Sequence, residues 1–326
     1  MKKMIRSIIA NNSVAALRLL GITLLSQTKY QTILFQRSSS IKELVDQADA
    51  KLRKGLIGVV FSKDRAFQLD ALLESYLEKV INPADLVIIY KATNSRHHRA
   101  YHQVIERYKM SPVKIDFIEQ GNDFRACLLR VLENIQVGSI FFLVDDIIFI
   151  NSLDLSIYQD INSRYAILSL RLSPDLKSSY TAGKSHHPPR FSSTLISNEL
   201  LQFKWFEQGC EWSDPWSVDG NIYSTAEIRV LSRVSPFGAP NSYEDALKSF
   251  ADLAKDRPGY CFIKSKIINL AINRVQSEIN NLSGNVNPEF LLDQWNQGLK
   301  MDRSMFEGYI PLSTHEEHVI EFRSRS

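Results

Sequence analysis

Cysteine is scarce in this chain of 326 residues: there are 3, Cys127, Cys210 and Cys261, far apart and with no CxxC pair among them. That excludes a disulfide framework and a thiolate zinc site, and it points to a reducing compartment and a cytoplasmic protein. The three thiols read as small buried hydrophobes rather than nucleophiles. Glycine-rich phosphate loops are missing as well. Neither GxGxxG nor GxxxxGKS/T occurs, which speaks against a dinucleotide cofactor and against P-loop chemistry. Charge of one sign is not in excess: 39 Lys and Arg against 36 Asp and Glu leave +3. So mild a basic balance suits anionic small molecules or a membrane surface and falls far short of a nucleic-acid footprint. Long apolar runs are absent too; Leu19 to Leu25, an apolar stretch near the N-terminus, is too short to span a bilayer. What remains, 44% hydrophobic, 10% aromatic and 23% charged, is an ordinary globular balance that excludes disordered, collagen-like and coiled-coil chains.

At the N-terminus Lys2, Lys3 and Arg6 precede Ile8 and Ile9 like the start of a secretory signal, but Asn11, Asn12 and Arg18 interrupt it. A basic amphipathic helix fits better, either docked on the domain or resting peripherally on a membrane. Ser38-Ser39-Ser40 breaks the pattern. Ser40 and Glu43 then have capping-box spacing, and Ile41, Leu44, Val45, Ala48 and Leu52 mark a helical face. We therefore expect an N-terminal helical segment over 1–54 and a single domain over 55–326.

The domain opens with alternation. Leu56 to Phe61, Leu86 to Tyr90, Val113 to Ile118 and Ile140 to Val144 read as buried strands. Between them, apolar residues at helical spacing run from Leu69 to Val80, from His97 to Lys109 and from Phe124 to Ile135. Such alternation predicts an α/β fold: right-handed crossovers and a mostly parallel, Rossmann-type sheet flanked by helices. Ligands then sit beyond the carboxyl ends of the strands, at Ser62 to Arg65, Lys91 to Asn94, Gln120 to Arg125, and Asp145 with Asp146. Downstream the pattern is less regular. Tyr165 to Leu170 reads as a strand, Ser173 to Arg190 as a long polar loop holding His186 and His187, and Ser242 to Lys255 as a helix behind Pro240-Asn241.

The strongest local signal is Phe141-Phe142-Leu143-Val144-Asp145-Asp146-Ile147. Two carboxylates at the mouth of a buried strand repel each other and lose hydration, and a divalent cation bridging to phosphate is the usual compensation. Solvated turn residues are the plainer alternative. With Val59 to Leu69 (Val-Val-Phe-Ser-Lys-Asp-Arg-Ala-Phe-Gln-Leu), Leu72-Leu73-Glu74-Ser75 and Leu143-Val144-Asp145-Asp146, the chain resembles the nucleotide-sugar-dependent glycosyltransferases of the GT-A fold over roughly 56–150. The resemblance implies a nucleotide-binding half over 55–150 and a less regular acceptor half over 151–326. It implies Phe61, Ser62, Arg65 and Asp145 at the nucleoside, and Asp146 as principal ligand of a Mn²⁺ or Mg²⁺ ion, with Asp145 beside it. The sequence reads Val-Asp-Asp-Ile where a strict DxD would place its first carboxylate at Val144. Arg65 or Arg125 would add positive charge for a departing diphosphate.

For the acceptor, Trp212 and Trp216, with Trp205 and Phe206, could stack on sugar faces or fill the core. Asp219, in Val218-Asp219-Gly220, could bind an acceptor hydroxyl or serve only the turn. By the resemblance an Asp or Glu at the stage of Glu244-Asp245 deprotonates the acceptor, Glu244 first and Asp245 second; the helix dipole also favours acids there. The resemblance lets a C-terminal His complete the metal shell, and His315 is the candidate; a solvated helix face carrying His315 and His318 is the other reading. The expectation is a metal-dependent transferase moving sugar from a nucleotide-sugar donor to a glycan or lipid-linked saccharide in cell-surface polysaccharide synthesis. A sugar nucleotidyltransferase and a non-catalytic glycan-binding protein of the same fold are the alternatives; the glycine-free Ser62-Lys63-Asp64-Arg65 loop counts against the first.

Overall fold

The computed structural model describes residues 27–275 and 282–325. The expected amphipathic helix before Gln27 lies outside them. The chain divides into two compact units, Met1–Leu44 and Val45–Ser326, and the second carries the sheets and the cleft. Helix α1 (Gln27–Asp49) runs unbroken through Ser38-Ser39-Ser40, so the serine run is neither a break nor a cap. Three serines cost a helix only a few tenths of a kcal/mol each, about 1 kcal/mol together. Among the described residues no helix is long and apolar enough to cross a membrane.

The expected alternation is present: β1 (Arg53–Lys63), α2 (Ala66–Lys79), β2 (Asp85–Lys91), α3 (Ser95–Tyr108), β3 (Ile115–Glu119), α4 (Phe124–Asn134) and β4 (Val137–Val144). Then come β5 (Ile147–Phe149), β6 (Ile167–Ser169), β7 (Ser192–Ser193), β8 (Leu200–Lys204) and β9 (Asn221–Ser224), followed by α5 (Thr225–Val234), α6 (Pro240–Lys248) and α7 (Ala251–Ala254). Last are β10 (Pro258–Phe262), β11 (Ile267–Leu270), α8 (Pro288–Asn296) and β12 (His315–Glu316).

Nine strands form one sheet in the order β7-β8-β10-β6-β9-β4-β1-β2-β3. The pairs β1–β2, β1–β4, β2–β3 and β6–β10 are parallel; β9 runs antiparallel to both β4 and β6. Two-sided burial explains the central strands: Val59 and Val60 on β1 and Phe141 and Phe142 on β4 are shielded from solvent on both faces. Register decides what meets at the carboxyl edge. Lys63 pairs with Lys91 and Phe61 with Val144, so the loops after β1, β2 and β4 emerge side by side. The helices after β2 and β3 start on side-chain caps: Asn94 accepts from the Arg96 and His97 amides, and Asp123 from the Ala126 amide. His97 is buried in the first turn of α3 with Nε2 3.1 Å from Glu289.

A second sheet of three strands, β12-β11-β5, brings the end of the chain to the acidic pair. The Leu270 amide donates to the Asp146 carbonyl at 2.8 Å, and the Asn269 amide to the Thr314 carbonyl at 3.0 Å. His315 therefore lies on a strand, not on a solvated helix face.

The aromatic patch is core. Trp212 and Trp216 are fully buried. Trp212 packs edge-on against Phe203 and Phe191, and Trp216 stacks on Tyr223 and donates its indole N–H to the Phe250 carbonyl at 3.0 Å. Trp212 offers no face to a sugar; Trp216, wholly buried against Tyr223, contributes only to the wall of a small concavity shared with Asp214 and Lys248. Trp205 is buried as well and packs on Phe203. The loop expected over Ser173–Arg190 is not featureless; it carries a two-residue ladder of Ser178–Ser179 against Lys184–Ser185.

Candidate active site

An open cleft of about 590 Å³ lies at the carboxyl edge of β1, β2 and β4. Its geometry starts in the turn after β1. Asp64 takes a left-handed conformation, φ 55°, which an Asp tolerates. Its amide donates to the Lys91 carbonyl, and its carboxylate accepts the Thr93 amide at 2.8 Å. The chain is thereby tied to β2 and turned so that the Arg65 side chain runs back across the end of β4.

Arg65 organises the acidic pair. Its Nη1 lies 2.9 Å from Asp145 Oδ1 and 2.9 Å from Asp146 Oδ2. Nε donates to Asn273 Oδ1 at 2.9 Å, and Nη2 to the Asn273 carbonyl. Burial opposes the guanidinium charge, but the Asp145 and Asp146 carboxylates outweigh it and hold Arg65 charged. Asp145 is fully engaged, since its Oδ2 also accepts from Ser62 Oγ at 2.8 Å and the Lys63 amide at 3.2 Å. Ser62 in turn meets the Tyr101 hydroxyl at 2.6 Å, which accepts the Arg65 amide at 3.1 Å. The sequence offered no signal for Tyr101, which reads as an inward helical position, or for Asn273.

Asp146 is different. One oxygen meets Arg65; the other, Oδ1, is buried with no hydrogen-bond partner. Burial, with repulsion from Asp145 and Asp219, pushes this carboxyl up from 3.8 to about 6 against the pull of Arg65 and His315. A buried carboxylate oxygen with nothing to bind fits a hard divalent cation. Among the described residues no group of three or more His, Cys, Asp or Glu side chains is spaced to hold a metal. A Mg²⁺-type ion needs no such cage: one or two carboxylates and the substrate's phosphates suffice. His315 has its two ring nitrogens engaged, Nε2 3.1 Å from Asp219 Oδ2 and Nδ1 3.0 Å from Thr314 Oγ1. Burial works against both charges of the pair, yet contact prevails: Asp219 is lowered and His315 raised.

Asp219 is set by a turn only glycine can close. Gly220 has φ 77°, and a Cβ there would stand 2.3 Å from Ile267 Cδ1. Glu244 and Asp245 also line the cleft. Glu244 accepts the Val218 amide at 3.1 Å and lies 3.3 Å from Lys248, whereas Asp245 is more than half exposed. Phe61 and Phe124 meet edge-on at the end nearest β1 and α4, where Gln120 and Lys91 also face the cleft. Arg125 does not reach it. Its guanidinium donates to the Ser235 and Arg233 carbonyls and lies over the Phe237 ring, because α4 turns that face toward α5. Asp214 and Arg171, which lie 3.5 Å apart, are further cleft residues that were not foreseen. They sit in irregular segments where the sequence shows no periodicity.

Against this geometry stand the comparisons. The chain is 25% identical over 191 residues to the bifunctional glycosyltransferase pgtA of Dictyostelium discoideum. The curated relative is a glycosyltransferase. The match takes in 53% of this chain and 24% of that protein, so the chain spans about a quarter of the relative. No family model matches. Among solved structures, TarS of S. aureus residues 1–349 in complex with UDP-GlcNAc gives a TM-score of 0.42 at 14% identity, covering 73% of this chain and 63% of that one. The bifunctional glycosyltransferase WbbM gives 0.34 at 13%, covering 63% and 38%. The 4-diphosphocytidyl-2C-methyl-D-erythritol synthase of Anaerococcus prevotii gives 0.39 at 8%, covering 74% and 96%.

Proposed function

We propose that this protein transfers a sugar from a nucleotide-activated donor to a saccharide hydroxyl. The reading is supported by the curated relative, and one observation carries it: the buried, unpartnered Oδ1 of Asp146 in a cleft at the carboxyl ends of the parallel strands β1, β2 and β4. Asp146 would hold Mn²⁺ or Mg²⁺, with Asp219 and His315 near enough to act on its charge. Such an ion would stabilise the negative charge of the departing diphosphate.

The chain's own groups do the rest. Asp145 binds no substrate; it fixes Arg65 and Ser62, and through them the loop on which a nucleoside rests. Arg65 offsets part of the cost of holding two carboxylates side by side and adds positive potential where diphosphate charge gathers. Phe61 and Phe124 give the base an apolar surface, and Gln120 a polar edge. Asp219, Glu244 and Asp245 face the acceptor. That acceptor is a glycan or lipid-linked saccharide, and we place the reaction in cell-surface polysaccharide assembly, with peripheral membrane contact through the N-terminal segment.

The test is a thermal-shift screen against UDP, GDP, CDP and their sugars with Mn²⁺, Mg²⁺ or EDTA. A ligand present at a hundred times its Kd stabilises the native state by about 2.7 kcal/mol. One nucleoside diphosphate should raise the melting temperature only with metal, and Asp146→Ala should abolish the rise. Stabilisation by nucleoside triphosphates alone would favour the nucleotidyltransferase, and no shift with any of them would overturn the transferase reading.

A further inference from the structure

The amino edge of the large sheet, at the far end of β1 from the cleft, collects positive charge. β1 opens with Arg53 and Lys54, and the Arg53 amide donates to the Gln136 carbonyl at 3.1 Å, in the turn between α4 and β4. From α5, Arg229 and Arg233 reach the same turn. Arg229 Nε donates to the Leu132 carbonyl at 2.7 Å, and its Nη2 to the Glu133 and Ile135 carbonyls. Arg233 Nη2 lies 3.3 Å from the Glu133 carboxylate. Arg130 stands exposed on α4, three residues before Glu133. Five cations thus gather at the stretch 132–137, in which Glu133 is the one acid.

Little of this charge is spent within the fold. Arg229 meets carbonyls rather than carboxylates, and burial, then the neighbouring Arg233, lowers its guanidinium from the ordinary value against the pull of Glu133. The pair of Arg233 and Glu133 is more than half exposed on both sides, where an ion pair is weak. Arg53, Lys54 and Arg130 face solvent. The acids just before β1, Asp46 and Asp49, are taken by Arg164. Five cations against one carboxylate leave an excess of four here, more than the +3 of the whole chain. Val234, 57% exposed, adds an apolar side chain at the end of α5. None of these residues lines the cleft. A protein partner is held chiefly through anchors buried in pockets. A bilayer of anionic headgroups needs only a cationic face with some apolar cover.

We propose that the amino edge of the sheet, around Arg53, Lys54, Arg130 and Arg233, is a docking face for an anionic lipid surface. β1 runs for 11 residues, about 35 Å. A bilayer against Arg53 therefore leaves the cleft, at the other end of the strand, unobstructed. The attraction is Coulombic, so it fades as salt rises. It holds whatever reaction the cleft performs and goes beyond the transferase reading.

The experiment co-sediments full-length protein with large vesicles of phosphatidylcholine, alone or with about 30% phosphatidylglycerol, at about 50 and 500 mM NaCl. Wild-type protein should partition into the anionic vesicles about tenfold or more better than into the neutral ones, and high salt should remove the difference. Arg53→Ser with Lys54→Ser should weaken partition about thirtyfold, a factor of about five for each cation. Arg130→Ser with Arg233→Ser should do the same. Arg229, whose guanidinium caps the end of α4, is left in place. All four positions are exposed, so an unchanged melting temperature identifies the folded variants; should one pair melt early, the other decides. Patch variants that partition like wild type would overturn the proposal. So would wild-type binding that ignores salt or headgroup charge, or no binding to either vesicle. Loss confined to a variant with Lys2, Lys3 and Arg6 changed to Ser would also overturn it and give the membrane contact to the N-terminal segment alone. None of these outcomes bears on the nucleotide-dependent shift, which tests the transferase reading separately.

Discussion

Replacing Asp146 by Asn should make the protein more stable and functionally inert. The amide keeps an oxygen for Arg65 and removes a charge held in unfavourable surroundings. The carboxyl is raised from 3.8 to about 6 in the fold, and a displacement of about two pH units corresponds to about 3 kcal/mol. The sign follows from proton linkage. Below pH 4 folded and unfolded chains both carry the proton, so ionisation costs nothing. Between pH 4 and 6 the folded chain holds a proton that the unfolded chain has lost, and wild-type stability falls as pH rises. Above pH 6 the penalty is constant. The variant should therefore gain nothing at pH 4 and about 3 kcal/mol at pH 7, or about 5–10 °C in Tm for a chain of this size. Melting curves of both proteins from pH 4 to 8, without metal or nucleotide, check this. An Asn variant melting at or below wild type at pH 7, or a difference that does not change with pH, would refute the reasoning. The same variant should lose metal-dependent stabilisation by nucleoside diphosphate, a trade of function against stability.

Other substitutions read other parts of the site. Arg65→Met leaves Asp145 and Asp146 buried without their cation and should cost about 3–5 kcal/mol at pH 7; the loss should shrink on acidification as the carboxyls protonate, which denaturant titrations at pH 5 and 7 compare. Gly220→Ala forces a left-handed alanine into Ile267 and should cost about 2–4 kcal/mol, seen as a lower denaturant midpoint with unchanged slope. Trp212→Ala should cost about 3–5 kcal/mol as a core truncation, while Trp212→Phe should leave the acceptor KM unaltered; a raised KM in a stable Trp212→Phe protein would restore the sugar-stacking role. Tyr101→Phe removes a hydroxyl touching both Ser62 and Arg65 and should weaken nucleotide binding without altering the acceptor KM, as competition and initial-rate kinetics would show.

The first half of the domain was legible because β1, β2 and β4 are buried on both faces and α3 and α4 on one. Leu56 to Phe61 and Ile140 to Val144 are continuous apolar runs, and that alone put Arg65 and the acidic pair on one edge. The second half was not. Trp212 and Trp216 pattern equally well as binding face or core, and only their packing on Phe191, Phe203 and Tyr223 decides for core. Asp214 and Arg171 lie in segments without periodicity, so nothing local marks them. Asn273 and His315 reach Arg65 and Asp219 through tertiary pairing of β11 and β12, which leaves no trace in spacing. Arg125 sits at the expected edge but on the helix face that packs on α5.

The strand that carries His315 is two residues long and joins its sheet through one neighbour, β11. So short an edge strand is among the first parts of a fold to open. Asp219 is held by His315, and opening there would slacken it while the nine-stranded sheet stays intact. Mild denaturant should therefore extinguish turnover at a concentration where the far-ultraviolet spectrum is still native, so that activity, and not secondary structure, reports how much of this protein is in its working state.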